Sequence, residues 1–287
     1  MKARCTPLLL LLVLMLMGLP QSSQAQELGS TPAKGKFYTL FRPVPRDSLQ
    51  ELRPDRPGVT ESPYTVDAGH FQLETDLFRL INSRDKQHRE RDFNVNHALI
   101  KLGLTQRMDF QVGIDSYSWE KQWDEQQEPE RNQGFGDVTL RLKRSILGEH
   151  GKPGALAVVG YVRLPAGRNV GNEKAEYGLI IPYSYDFSKK LNLQVQLEND
   201  LRYDSEAGER FVRVSPSSAI DYEFSKKFSS FVEIVGQWDT RQSSWQASVN
   251  LGPQFNISDN VILDGGAHLA LTREIDREYF LGLSFRI

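Results

Sequence analysis

The sequence predicts an all-β chain: a closed antiparallel transmembrane β-barrel of about 12 strands, preceded by an extended N-terminal segment. Three observations predict it. Long stretches alternate strictly between apolar and polar residues, short polar turns alternate with longer charged breaks, and the chain opens with an export signal.

The opening comes first. Lys2 and Arg4 precede an unbroken apolar run from Leu8 to Met17, Gly18 and Pro20 end it, and Ser23-Gln24-Ala25 supplies small residues at a cleavage site. This pattern predicts a secretory signal over 1–25, cleaved after Ala25, rather than a membrane anchor, because the apolar run is too short to span a bilayer. Cys5, the only cysteine, precedes that run, so the exported chain is expected to hold no disulfide and no lipid-anchoring thiol.

Residues 26–68 carry Pro32, Pro43, Pro45, Pro54, Pro57 and Pro63. Proline this frequent excludes a long helix and a paired central strand, so the stretch is read as extended, in the periplasm or tucked into the barrel as a plug.

From Gly69 the texture changes. Leu191, Leu193, Val195, Leu197 and Leu201 share one parity, and Asn192, Gln194, Gln196, Glu198 and Asp200 share the other. The same period recurs over 245–256 and 279–287. Runs of this length exceed ordinary globular strands and suit tilted membrane strands of about nine to eleven residues. Strands are expected near 69–80, 92–104, 108–119, 135–147, 154–165, 176–187, 191–203, 210–224, 228–239, 244–256, 260–271 and 277–287. Tight turns near 105–107, 188–190, 225–227 and 258–260, with 148–154 completing the series, belong at the periplasmic end. The charged breaks 82–91, 120–133, 166–174 and 204–209 belong outside.

A mean hydropathy of −0.47 excludes a helical membrane protein but not a barrel, in which only alternate strand residues face lipid. The balance of 35 Lys+Arg against 37 Asp+Glu gives no electrostatic case for nucleic acid. Aromatics at strand ends on the apolar parity, Phe71, Tyr177, Phe187, Trp238, Trp245, Phe255 and Tyr279, fit two interfacial girdles. The polar parity assigns Glu74, Asp76, Asp109, Asp115, Arg141, Lys143 and Arg163 to the lumen, where they line a conduction path or neutralise one another. Asp55, Arg56, Thr60 and Glu61 stand just before the first strand, where they either gate the periplasmic mouth or only fix the strand's start. No Gly-x-Ser-x-Gly elbow and no metal-ligand spacing is present, so neither an enzyme, a metal nor a cofactor is expected. A soluble lipocalin-like barrel, apolar inside, would give the same alternation, and a structural barrel without transport stays open too.

Two sets of residues carry resemblances. Gly282-Leu-Ser-Phe285-Arg-Ile287 resembles the C-terminal insertion signal of bacterial outer-membrane barrels, with Ile287 where phenylalanine is usual. That implies recognition by the barrel-insertion machinery and a home in the lipid of a Gram-negative outer membrane. Arg53-Pro-Asp-Arg-Pro-Gly-Val-Thr-Glu-Ser-Pro-Tyr-Thr-Val66, Ala68-Gly-His-Phe-Gln-Leu-Glu-Thr75 and Gly134-Phe-Gly-Asp137 resemble the outer-membrane transporter-like family labelled MetA-pathway of phenol degradation. The resemblance implies a channel or transporter for small aromatic or hydrophobic solutes.

Overall fold

The computed structural model describes residues 37–84, 88–124, 130–148, 152–167, 171–205, 207–241, 245–272 and 276–287, and the compact unit among them is Tyr38–Ile287. The signal expected over 1–25, the first part of the proline-rich stretch and the tips of several long loops lie outside the described residues.

The strands run in chain order as β1 (Phe71–Arg84), β2 (His88–Thr105), β3 (Met108–Asp124), β4 (Glu130–Phe135), β5 (Val138–Leu147), β6 (Gly154–Leu164) and β7 (Glu176–Asp186). They continue as β8 (Leu191–Asp204), β9 (Glu209–Ser225), β10 (Phe228–Asp239), β11 (Gln246–Ser258), β12 (Val261–Ala270) and β13 (Arg277–Arg286). Neighbouring wall strands pair antiparallel, and β13 returns to β1 with Gln72 opposite Arg286, so the ring closes.

Both β4 and β5 pair with β3, as Tyr117↔Phe135 and Ile114↔Val138. β5 is the strand expected over 135–147, and β4 continues the same wall position into the break expected at 120–133, which leaves twelve wall positions. The break falls at Gly136–Asp137, where the Asp115 N–H donates to the Asp137 carbonyl (3.0 Å) and the Gly136 N–H to the Asp115 carbonyl (2.8 Å). The ladder is interrupted there but its register is unchanged, since Tyr117↔Phe135 and Ile114↔Val138 lie on one alignment. A Cβ on Gly136 would stand 2.6 Å from that of Asp115.

The strands also outrun their expected ends. Asn82↔Arg91 and Glu120↔Asn132 are ladder pairs, so most of the breaks expected at 82–91 and 120–133 are strand. Charged composition suggests a loop there. Past the bilayer, however, a strand needs no apolar face, and backbone pairing alone extends it.

Burial separates this barrel from a soluble one. Outward positions carry exposed apolar residues, among them Ile220, Val232 and Ile234, each more than half exposed. Inward positions carry Lys143, Gln111 and Asn250, each 0 % exposed. Apolar side chains outside and polar ones inside reverse the arrangement of a lipocalin-like binder. Phe71, Phe187, Trp245, Phe255 and Tyr279 of the expected girdles are exposed on the outer face.

The proline-rich segment enters at the end with the tight turns. Thr39 bridges Thr105, the Val44 N–H donates to the Ala68 carbonyl (3.0 Å), and a 3-10 turn covers Arg46–Ser48. The chain rejoins the wall through Gly69, whose φ of +80° and whose packing, 2.5 Å from any added Cβ to that of Pro43, both demand glycine.

Candidate functional site: the charged lumen and its N-terminal segment

An extended segment leaves its backbone donors unpaired, and Pro54, Pro57 and Pro63 have none to offer. The remaining donors find carboxylates and amides of the wall. Glu74 of β1 accepts from the N–H groups of Asp55 (2.9 Å) and Arg56 (3.2 Å). Glu233 of β10 accepts from Val59 (3.0 Å) and Thr60 (2.6 Å), and is held in turn by the Asn250 amide of β11 (2.6 Å). Gln196 of β8 accepts from Glu61 (2.8 Å) and Asp109 of β3 from Val66 (2.9 Å). Inward acids on separate strands thereby act as a cradle for one backbone.

The side chains of the segment add ion pairs. Asp55 accepts from Lys101 of β2 (2.5 Å) and Lys143 of β5 (2.6 Å) and from the Ser62 N–H (3.0 Å). Burial pushes its carboxyl up, but Lys101, Lys143 and Arg141 outweigh that and hold it below the usual carboxylate range. Arg56 pairs with Asp76 of β1 and with Asp264 of β12 (2.7 Å). Glu61 pairs with Arg141 of β5 (2.5 Å), while the Thr60 and Ser217 hydroxyls share a hydrogen bond of 2.7 Å. Nearer the tight turns, Arg53 reaches Asp186 of β7 (3.3 Å) and Asp67 accepts from Arg286 of β13 (3.0 Å). The contacts come from opposite sides of the ring, so residues 53–67 cross the lumen rather than cap the first strand.

All four residues expected before the first strand, Asp55, Arg56, Thr60 and Glu61, thus sit among the wall charges. Five of the seven expected lumen residues meet the segment: Glu74, Asp76, Asp109, Arg141 and Lys143. Asp115 and Arg163 do not. They form a second group towards the long loops, where Asp115 pairs with Arg163 and with His97 (2.8 Å), and Arg163 approaches Asp137 (3.4 Å). Gly282, expected as part of the insertion signal, faces inward under Arg56, and Ile287 is exposed.

Sequence reasoning left out Lys101, the cation shared by Asp55 and Glu74. The signal was present, since Lys101 is the polar residue between Ile100 and Leu102 on an alternating strand. A cavity of about 190 Å³ remains at the tight-turn end, where Ser184, Asp186, Gln194 and Asp221 face the segment beside Leu52, Phe231 and Ile262, so its lining is mixed. Among the described residues no group of three or more His, Cys, Asp or Glu could hold a metal ion.

No curated protein matches the chain by sequence. Among solved structures it resembles an outer membrane channel from Pseudomonas putida F1 with a TM-score of 0.60, at 12% identity, over 81% of this chain and 99% of the other. A porin, KdgM, aligns with a TM-score of 0.45 at 10% identity over 75% of this chain and 98% of its own. The first likeness agrees with the fold of a closed antiparallel β-barrel. A family model spans residues 54–286, from the Pro-Asp-Arg-Pro of the lumen segment through the closing strand. On that match the chain belongs to the family described as the putative MetA-pathway of phenol degradation.

Proposed function

We propose that this protein is an outer-membrane channel for small solutes and that residues 53–67 hold it in a closed state. The observation behind the reading is the inverted barrel whose polar lumen is crossed by its own N-terminal segment. The segment is fixed by side chains of the wall rather than by a continuous ladder, and such contacts can exchange for water one at a time. Export through the segment 1–25 and recognition of Gly282, Phe285 and Ile287 by the insertion machinery complete the route to the outer membrane.

The lumen narrows the class of cargo. Its inward groups are carboxylates, guanidiniums, amides and hydroxyls, which a hydrocarbon would have to desolvate without return. Small aromatics that carry a hydroxyl or a charge, phenols among them, fit both the lining and the family's description better than purely hydrophobic solutes do. A structural barrel without transport is the second reading, favoured by how completely the segment's charges are paired.

The test is flux through the refolded Glu61→Gln variant, in which the segment is loosened, in lipid vesicles, comparing phenol, benzoate and toluene. Faster entry of the first two over protein-free vesicles supports the channel. Equal entry with and without protein supports the structural reading, and selective toluene entry overturns the assignment of polar cargo.

A further inference from the structure

The inner face of the closing seam lacks a cation of its own at one level. Gly282 of β13 is the register partner of Asp76 on β1 and of Asp264 on β12, so two carboxylates flank a residue with no side chain. Both are buried, at 0 % and 2 % exposure. Arg79 of β1 serves Asp76 (2.8 Å) but also holds Glu278 (2.8 Å). The group that joins the two is Arg56, which pairs with Asp76 and donates to Asp264 through Nη2 (2.7 Å) and Nε (3.1 Å). It lies in the space that Gly282 leaves, because a Cβ there would stand 1.9 Å from Nη2.

Two more contacts tie the same segment to the same seam. Asp67 accepts from Arg286 (3.0 Å), and the His70 ring lies between the backbone oxygens of Ile287 (3.1 Å) and Val44 (2.7 Å). The seam is also irregular where Arg56 acts, with a register shift between Asp76 and Phe78. Pairing β1 with β13 joins the most distant parts of the chain, so it closes the longest loop of any strand pair.

We infer that residues 44–70 are a clasp that completes the barrel, with Arg56 supplying the charge that lets Asp76 and Asp264 be buried on either side of Gly282. Seating of Arg56 then accompanies closure of this seam as the barrel folds. This role does not depend on transport, and a barrel that conducts nothing would still need it.

The experiment is the temperature at which the folded full-length barrel converts to unfolded chain on SDS gels. Arg56→Met keeps much of the volume and leaves the carboxylates without their shared cation. It lowers that temperature by about 10 °C, the scale expected on breaking a buried pair, or abolishes folding. Arg56→Met combined with Asp76→Asn and Asp264→Asn removes the stranded charges and recovers most of the loss. An Arg56→Met barrel that converts at the wild-type temperature would overturn the clasp. So would a triple variant no more stable, or no better folded, than Arg56→Met alone.

Discussion

Nη2 of Arg141, on β5, lies 2.5 Å from both carboxylate oxygens of Glu61 in the lumen segment. The pair is nearly buried, with side-chain exposures of 13% and 11%; Lys143 also stands 3.7 Å from Glu61, but Arg141 relies on Glu61 for its ion pair. Removing Glu61 strands Arg141, whereas removing both partners strands nothing. Glu61→Gln is therefore expected to weaken seating by about 2–3 kcal/mol and raise the open fraction by one to two orders of magnitude. Glu61→Gln with Arg141→Met should fall back towards wild type, and a double-mutant cycle on open probability in planar bilayers reads the coupling. Additive effects of the two substitutions would mean that the pair does not hold the segment.

Space at Gly282 gives a second prediction. A methyl group there overlaps the Arg56 guanidinium, whereas one on Gly160 meets nothing within 4 Å. Gly282→Ala is expected to displace Arg56 and raise conductance, and Gly160→Ala to leave it unchanged. Single-channel recording of the two compares the same chemical change at a filled and an empty place. Matching traces would remove the steric argument.

The outer face supplies a third. Ile234 is 58% exposed on β10, in the apolar belt. A lysine there must cross or enter hydrocarbon, so Ile234→Lys is expected to disfavour insertion by about 2–4 kcal/mol if the site lies near the bilayer midplane. The measurement is the folded fraction recovered with lipid vesicles under partly denaturing conditions. An unchanged fraction would mean that this belt does not face lipid.

The sequence made the wall legible because period two is a local signal. The alternation over 191–203 places Gln196 and Asp200 inward from their immediate neighbours alone, and the same rule would have placed Lys101. The break at Gly136–Asp137 escaped it, since it interrupts the ladder without shifting register or parity. The ends of β3 and β4 escaped too, because Glu120–Asp124 is charged like a loop while its backbone pairs like a strand. For the segment, proline content gave an extended chain but not its seat. Arg56 meets Asp264 across 208 positions and Thr60 meets Ser217 across 157, and no periodicity links residues so far apart. The resemblance in Arg53–Val66 marked the right residues without showing what they touch.

The most direct test of the closed-state reading fixes the segment to the wall. The Thr60 and Ser217 hydroxyls are 2.7 Å apart, and the chain's one cysteine, Cys5, lies in the expected signal, so Thr60→Cys with Ser217→Cys can form a single engineered bridge. Conductance of this variant in planar bilayers is measured oxidised and then after a reductant is added on the tight-turn side. The account predicts a silent oxidised barrel that opens in discrete steps once the bridge is reduced. The same conductance in both states, or silence in both, would contradict it.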